Sequence, residues 1–285
     1  MQDVHSHRLP FDWHAPDRAL QVPLLADSPH SGYVYTLDFH SRAPLRVLRR
    51  AEDAFVDQLW SALPTEGAGL LAARVSRSYV DLNRQETDLD PQMLASPWPG
   101  LVEPSEKTQL GHGLLWKNLG SVALYDRLLS VAEVQARLAL VYRPYHDWLG
   151  QQVRHLHRRF GGVWHLNLHS MPSGVKALFT THTVPDFVLG DRLGTSCSAD
   201  FIATVEHLLR AAGYRVVRNH PYSGAAIVKQ VGKPEQNRHS LQIEVNRALY
   251  MDERHHRKHS GFEALRADLA MVSKQLASYV RSCAS

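Results

Sequence analysis

The stretch "LLADSPHSG" (24–32) sets how the rest of the chain is read. An apolar, strand-like run ends at Asp27 and Ser28, and the chain then passes through Pro29, His30, Ser31 and Gly32. Pro29 stiffens the exit and Ser31–Gly32 turn the chain, so His30 stands where a rigid strand has just stopped. In a sheet covered by helices, chemistry gathers at such points because the strand positions the residue that follows it.

Working outward, strand-like runs at 22–27, 69–75, 78–82, 163–168, 186–190, 214–218 and 240–245 alternate with helical periodicity at 46–62, 131–143, 145–159, 198–212 and 260–282. This alternation predicts an α/β layered fold. Ser198 can cap the helix at 198–212 and Gly213 stops it, while Pro144 divides the helical stretch before it or opens its second half. The segment 85–120, with Pro91, Pro97, Pro99 and Pro104, reads as a long excursion over the surface. No linker or composition shift marks a boundary, so residues 1–285 read as a single domain.

Composition narrows the functional classes. With 44% apolar and 21% charged residues, the chain is an ordinary soluble globular protein. The net charge of +4 is scattered, and "RHHRKH" (254–259) reads as a solvated helix start, so nucleic acid is not an expected partner. Two cysteines, Cys197 and Cys283, exclude a disulfide framework and a four-cysteine zinc site. Asp3, Arg8, Asp12, Asp17 and Arg18 break up any apolar leader, and no run approaches the roughly 18 apolar residues of a membrane span. A cytoplasmic protein without membrane contact is expected.

Several polar residues occupy strand ends or apolar strands. His169 follows "VWHLNL" at the strand exit and shares a face with His165; Glu244 lies inside "LQIEVNR", where a carboxylate is costly unless paired or used. "YVDLNR" places Asp81, Asn83 and Arg84 at the end of another strand. Arg84 either pairs a carboxylate such as Asp81 or Glu86, or grips an anionic substrate with two prongs. In "RRAEDAFVDQLW" (49–60), Asp53 and Asp57 are four apart and share a face of the predicted helix, beside an apolar stripe of Phe55, Leu59 and Trp60. Two histidines and one carboxylate with an open fourth position form a common catalytic zinc set. His30, His169 and one of Asp53 or Asp57 would satisfy it, although among 18 histidines a lone one is more often an ordinary turn residue.

Eight stretches together resemble the N-formylglutamate amidohydrolase family: "SPHSG" (28–32), "EDAFVDQLW" (52–60), "SRSYVDLNR" (76–84), "YRPYHDWL" (142–149), "NLHSMP" (167–172), "DFVLGDRLGTSC" (186–197), "NHPYSGAAI" (219–227) and "LQIEVNRALYMDE" (241–253). They keep the family's order between about residue 22 and 255. The resemblance, shared with zinc carboxypeptidases and aspartoacylases, implies a three-layer α/β/α fold with a central mixed sheet and one Zn2+ at its edge. It makes His30 and His169 the histidine ligands and takes the carboxylate from "EDAFVD", with Asp53 preferred to Asp57. The carboxypeptidase relatives carry a ligand glutamate three residues after the first histidine; here that position is Tyr33. Asn83 and Arg84 inherit the grip on the substrate carboxylate, Glu244 the catalytic glutamate, and Arg247 with Tyr222, Ser223 and Gly224 the rest of the pocket. Two departures stand out. Asn167 replaces the aspartate usual two residues before the second histidine, and Ala225 replaces the second of two glycines.

The implied reaction is zinc-dependent hydrolysis of an N-acyl amino acid, with N-formyl-L-glutamate the expected substrate and histidine breakdown its setting. The nearest alternative is the same machinery on another N-acyl amino acid or a short peptide. A non-catalytic dicarboxylate-binding protein is disfavoured because His30, Asp53, His169 and Glu244 are all present. Thiol catalysis is disfavoured because no motif brings a histidine to Cys197.

Overall fold

The computed structural model describes residues 9–174 and 184–284. Its strands are β1 (Phe11–His14), β2 (Leu24–Ser28), β3 (Gly69–Ala73), β4 (Asn118–Leu119), β5 (Val122–Ala123), β6 (Val163–Met171), β7 (Phe187–Gly190), β8 (Val216–Arg218), β9 (Arg238–Asn246), β10 (Met251–Asp252) and β11 (Arg257–Lys258). Its α-helices are α1 (Leu45–Leu48), α2 (Val56–Leu59), α3 (Glu106–Gln109), α4 (Val131–Arg137), α5 (Arg143–Phe160), α6 (Ala199–Ala211), α7 (Ala226–Val231) and α8 (Gly261–Cys283). None of the described helices is long and apolar enough to cross a membrane.

The main sheet has the order β1-β3-β2-β6-β9-β7-β8. β3, β2, β6 and β9 run parallel, β7 runs antiparallel to β9, and β8 follows β7 in parallel. The sheet is therefore mixed, with the carboxyl ends of β2, β6 and β9 at one edge, as the expected fold class requires.

The chain divides into two compact units. One takes in the described residues up to Asp12, Pro29–Glu52 and Ala73–Trp148; the other holds Trp13–Ser28, Asp53–Ala72 and the described residues from Leu149 onward. The second unit contains most of the sheet. On one sheet face Leu24, Ala26, Leu166, Leu168, Leu241 and Ile243 pack with Phe201, Val205 and Leu209 of α6 and Leu269, Val272 and Leu276 of α8. Burial of the Leu, Ile, Val and Phe side chains, each worth about 1.5–3 kcal/mol against exposure, holds that layer together. α7 packs on β6 and β9, and Ala225 at its start donates its N–H to Gln242 on the opposite sheet face. Within the first unit, Arg137 of α4 is fully buried among Phe39, Tyr79 and Tyr125.

Some elements depart from the sequence expectations. Ser198 caps α6 by accepting from Phe201 N, and Gly213 follows at φ 93°, both as expected. The expected strand at 78–82 is a run of turns instead. Tyr79 N donates to Ser76 O, while the Asp81 carboxylate and carbonyl take the N–H groups of Asn83 and Arg84. Short polar side chains there compete with a strand ladder for the backbone. The helix expected over 46–62 is broken: α1 passes into a 3-10 turn, Glu52 is extended, and Phe55 is left-handed at φ 66° before α2 begins. The Glu52 carboxylate is anchored by Tyr35 Oη at 2.6 Å, and Phe55 is packed against Phe262, so tertiary contacts hold the break. Asp53 and Asp57 therefore do not share a helical face. β1 has no counterpart among the expected strands, being a short edge strand with polar Asp12 and His14.

Candidate metal and active centre

β6 and β9 are buried on both faces, yet every second residue is polar. A parallel strand covered on both sides is ordinarily a nearly continuous apolar run. Here Trp164, Leu166 and Leu168 face the apolar layer, while His165, Asn167 and His169 face the other way; on β9, Ser240, Gln242 and Glu244 do the same. Strand register lines these residues up in rows. His165 pairs with Ser240, Asn167 with both Asp27 and Gln242, and His169 with Glu244. Six polar groups packed on one buried face are costly unless they bond to one another.

They do bond. His169 Nε2 donates to Asn167 Oδ1 at 2.8 Å, and its Nδ1 stands 3.0 Å from Asp53 Oδ2. The other Asp53 oxygen accepts from Arg247 Nη2 at 2.9 Å, and Arg247 Nε donates to Ser170 Oγ at 3.0 Å. Burial alone would lower the Arg247 guanidinium, but Asp53, Tyr250 and Glu253 hold it above the usual arginine range. Asp53 lies in the break between the 3-10 turn and α2, two residues before the left-handed Phe55. Glu244 Oε1 accepts from Gln242 Nε2 at 2.8 Å, and Gln242 Oε1 accepts from Ala225 N at 3.1 Å.

His30 follows β2 by two residues, and Gly32 then runs so close to the Arg74–Val75 backbone that a Cβ would strike the Val75 carbonyl. His30 Nε2 lies 2.7 Å from Asp81 Oδ1. The other Asp81 oxygen takes Arg77 Nη2 at 2.8 Å and Trp116 Nε1 at 3.0 Å. Burial opposes ionisation of Asp81, but Arg77, His30 and Arg84 together hold its carboxyl well below the usual range. Asp81 is thus an anion that accepts the Nε2 proton of His30 and leaves Nδ1 as the nitrogen with a lone pair.

One ligand atom each from His30, Asp53 and His169 lies within 4.8 Å of the other two, and all three residues are buried. Asp57 is outside this group. The donor set suits a divalent ion such as zinc: two imidazole nitrogens, each ring held from its far side by an oxygen acceptor, and one carboxylate. His169 lies inside β6 rather than after it, because the strand runs on to Met171.

The residues expected to hold substrate fall in two places. Arg84 donates from Nε to His112 O at 2.8 Å and from Nη1 to Asn83 O at 2.9 Å, while Tyr142 Oη donates to Arg84 O. Burial pulls the Arg84 guanidinium below the usual arginine range, with Asp81 opposing. Asp81 is taken up by His30 and Arg77, and Glu86 by Arg143 at 2.6 Å. Tyr222 and Gly224 flank Ser223 in the loop that lies against Gly190, where a Cβ would meet the backbone of Ser223 and Gly224. Arg247 sits on Asp53 and Ser170 rather than alone in a pocket. Cys197 is buried, which pushes its thiol up to about 12 and removes the thiolate a nucleophile needs.

Sequence reasoning missed Asp27, Gln242 and the Asp81 contact to His30. The polar alternation within β6 and β9 was the available signal for the first two. The third had none, because 51 residues separate its partners.

A model of the N-formylglutamate amidohydrolase family matches residues 22–251, which spans the site from the end of β2 to β10. The chain belongs to that family. It is 32% identical over 257 residues to the N-formylglutamate deformylase of Pseudomonas aeruginosa, covering 89% of each chain. The corresponding protein of Pseudomonas putida is 29% identical over 236 residues, covering 82% of this chain and 83% of its own. A crystal structure of N-formylglutamate amidohydrolase from Ralstonia eutropha JMP134 superposes with a TM-score of 0.94 at 45% identity, covering 96% of this chain and 99% of that one. As a member of the amidohydrolase family, the chain is a hydrolase acting on an amide bond.

Proposed function

We propose that this family member is a zinc-dependent amidohydrolase that converts N-formyl-L-glutamate and water to L-glutamate and formate. The observation that carries the reading is the convergence of His30, Asp53 and His169 in a chain whose relatives bear that activity in their names. These three residues would hold one Zn2+, which when bound lowers the pKa of a water ligand toward ~7 and polarises an amide carbonyl.

The remaining chemistry belongs to the chain's own side chains. Glu244 accepts the proton of the attacking water and passes it to the leaving amine nitrogen. Gln242 Nε2 donates to its Oε1 and so orients the carboxylate. Arg84 and Asn83 bind a substrate carboxylate and fix the formyl carbon against the centre. Arg247 neutralises and orients Asp53, and Tyr222 and Gly224 line the loop facing the acyl group.

The test is zinc content after gentle purification together with formate release. Bound zinc at one per chain and formate formation support the reading; zinc-free protein with full activity overturns it. Formyl-, acetyl- and succinyl-amino acids assayed beside dipeptides locate the acyl preference, which the Ala225 substitution in the pocket loop makes informative.

A further inference from the structure

Behind His169 the sheet buries a second carboxylate that the mechanism above does not use. Asp27 is fully buried in β2, directly opposite Asn167 of β6. Its Oδ1 accepts from Asn167 Nδ2 at 2.7 Å and lies 3.0 Å from His165 Nε2. His165 in turn places Nδ1 2.8 Å from Ser240 Oγ, and none of Asp27, His165, Asn167 and Ser240 reaches solvent. Burial disfavours the charged form of Asp27, but His165, Asn167 and His169 hold its carboxyl below the usual range.

We infer that Asp27, acting through Asn167, is a positioning residue that sets the tautomer of His169 and thereby the affinity of the centre for its metal. A carboxylate only accepts hydrogen bonds, so Asp27 dictates which end of the Asn167 amide faces it: the NH2 end. The amide oxygen is thereby turned to His169, where it demands a proton on Nε2. The lone pair is then left on Nδ1, the nitrogen facing Asp53. An amide alone has no such preference, since its two ends are nearly the same size and can exchange by a half-turn. The buried charge converts an ambiguous side chain into a one-way relay. In this chain an amide touches the histidine, and the charge sits one residue further back.

The inference rests on the zinc reading for one readout and is independent of it for the other. Asp27→Asn lets Asn167 turn over, offer N–H to His169 Nε2 and favour the Nδ1–H form, which has no lone pair on the nitrogen facing Asp53. Exchange of the two side chains, Asp27→Asn with Asn167→Asp, puts a carboxylate directly behind Nε2 and an amide behind that. Metal-stripped protein is titrated with Zn2+ against a chromophoric chelator, and the His169 ring nitrogens of the metal-free protein are read by 15N NMR in mildly alkaline buffer, assigned with His169→Gln. Asp27→Asn is expected to lose about 10–100-fold in Zn2+ affinity, the range typical of partners behind a metal ligand, and to populate Nδ1–H. The exchanged pair is expected to regain most of the affinity and the Nε2–H form.

Wild-type affinity and tautomer in Asp27→Asn, or an exchanged pair no better than Asp27→Asn, overturn the relay. Should Asp27→Asn fail to fold, Nδ1–H in the native protein overturns it and Nε2–H with a zinc-competent exchanged pair supports it. A native protein that takes up no Zn2+ defeats the zinc reading, while the NMR result still decides the relay.

Discussion

Two buried polar clusters in this molecule have similar ingredients and opposite designs. In the first unit, Arg137 is completely buried, donating to Tyr79 O at 2.9 Å, Tyr125 Oη at 2.7 Å and Glu133 Oε1 at 2.5 Å, with the Tyr79 ring 4.2 Å from its guanidinium carbon. All of these partners come from the same unit and the cluster closes on itself. In the second unit, the chain of bonds from Asp27 through Asn167 ends on a histidine nitrogen next to Asp53. The first network exists to neutralise a charge that packing has enclosed. The second directs lone pairs outward to a point where His30, Asp53 and His169 meet. Burial and bonding alone do not distinguish structure from function; where the last lone pair points does.

Four measurements break or sharpen that contrast. The largest effect is expected from Glu244→Gln, which removes the proton acceptor and should lower kcat by about 10²–10⁴-fold in a formate-release assay. Zinc content and melting temperature should stay unchanged; an active variant would empty the sheet face of its proposed role. Next, Arg137→Met should cost about 1–3 kcal/mol in chemical denaturation, because Tyr79 O and Tyr125 Oη lose their buried donor while Glu133 keeps Arg127. Its kcat per folded molecule should hold, since that cluster only supports packing.

Arg84→Lys should raise KM with little change in kcat. Lysine cannot reproduce the planar fork, and losing one charged hydrogen bond to a carboxylate costs about 1.5–3 kcal/mol. A fall in kcat with constant KM would move Arg84 from binding to catalysis.

The smallest effect concerns acid. Burial opposes ionisation of Glu133, but Arg127 and Arg137 hold its carboxyl below the ordinary value of 4.5. A depressed folded-state pKa contributes stability that is fully present above the unfolded value and is lost as pH falls through the folded one. Denaturation midpoints measured downward from pH 4.5 should therefore decline less steeply in Glu133→Gln than in the native protein.

Much of the architecture was legible because it is written in local periodicity. β2 as far as Ala26 and β7 are continuous apolar runs, β6 and β9 alternate with period 2, α6 and α8 follow period 3.6, and caps and stops are single residues such as Ser198 and Gly213. The misread segments, 78–82 and 46–62, are those where a side chain overrides the backbone pattern. Asp81 captures the backbone N–H two residues on, and Glu52 is drawn out of the helix by Tyr35. Those overrides deliver the site: one anchors Asp81 behind His30, and the other frees Asp53 from the helix to stand beside His169.

By itself, then, the sequence determined the α/β class, the family and the types of residue that do chemistry, because strand periodicity, turn residues and ordered motifs are properties of short segments. Only the tertiary structure decided that Asp81 and Asn167 hold the far nitrogens of His30 and His169, and that Asp27 stands behind Asn167. Those choices depend on strand register and on contacts between residues as far apart as 140 positions, which no local pattern encodes. "LLADSPHSG" shows the division within nine residues. Its turn and its strand-end histidine were readable on sight, whereas the buried Asp27 acquired a meaning only once β6 lay beside it.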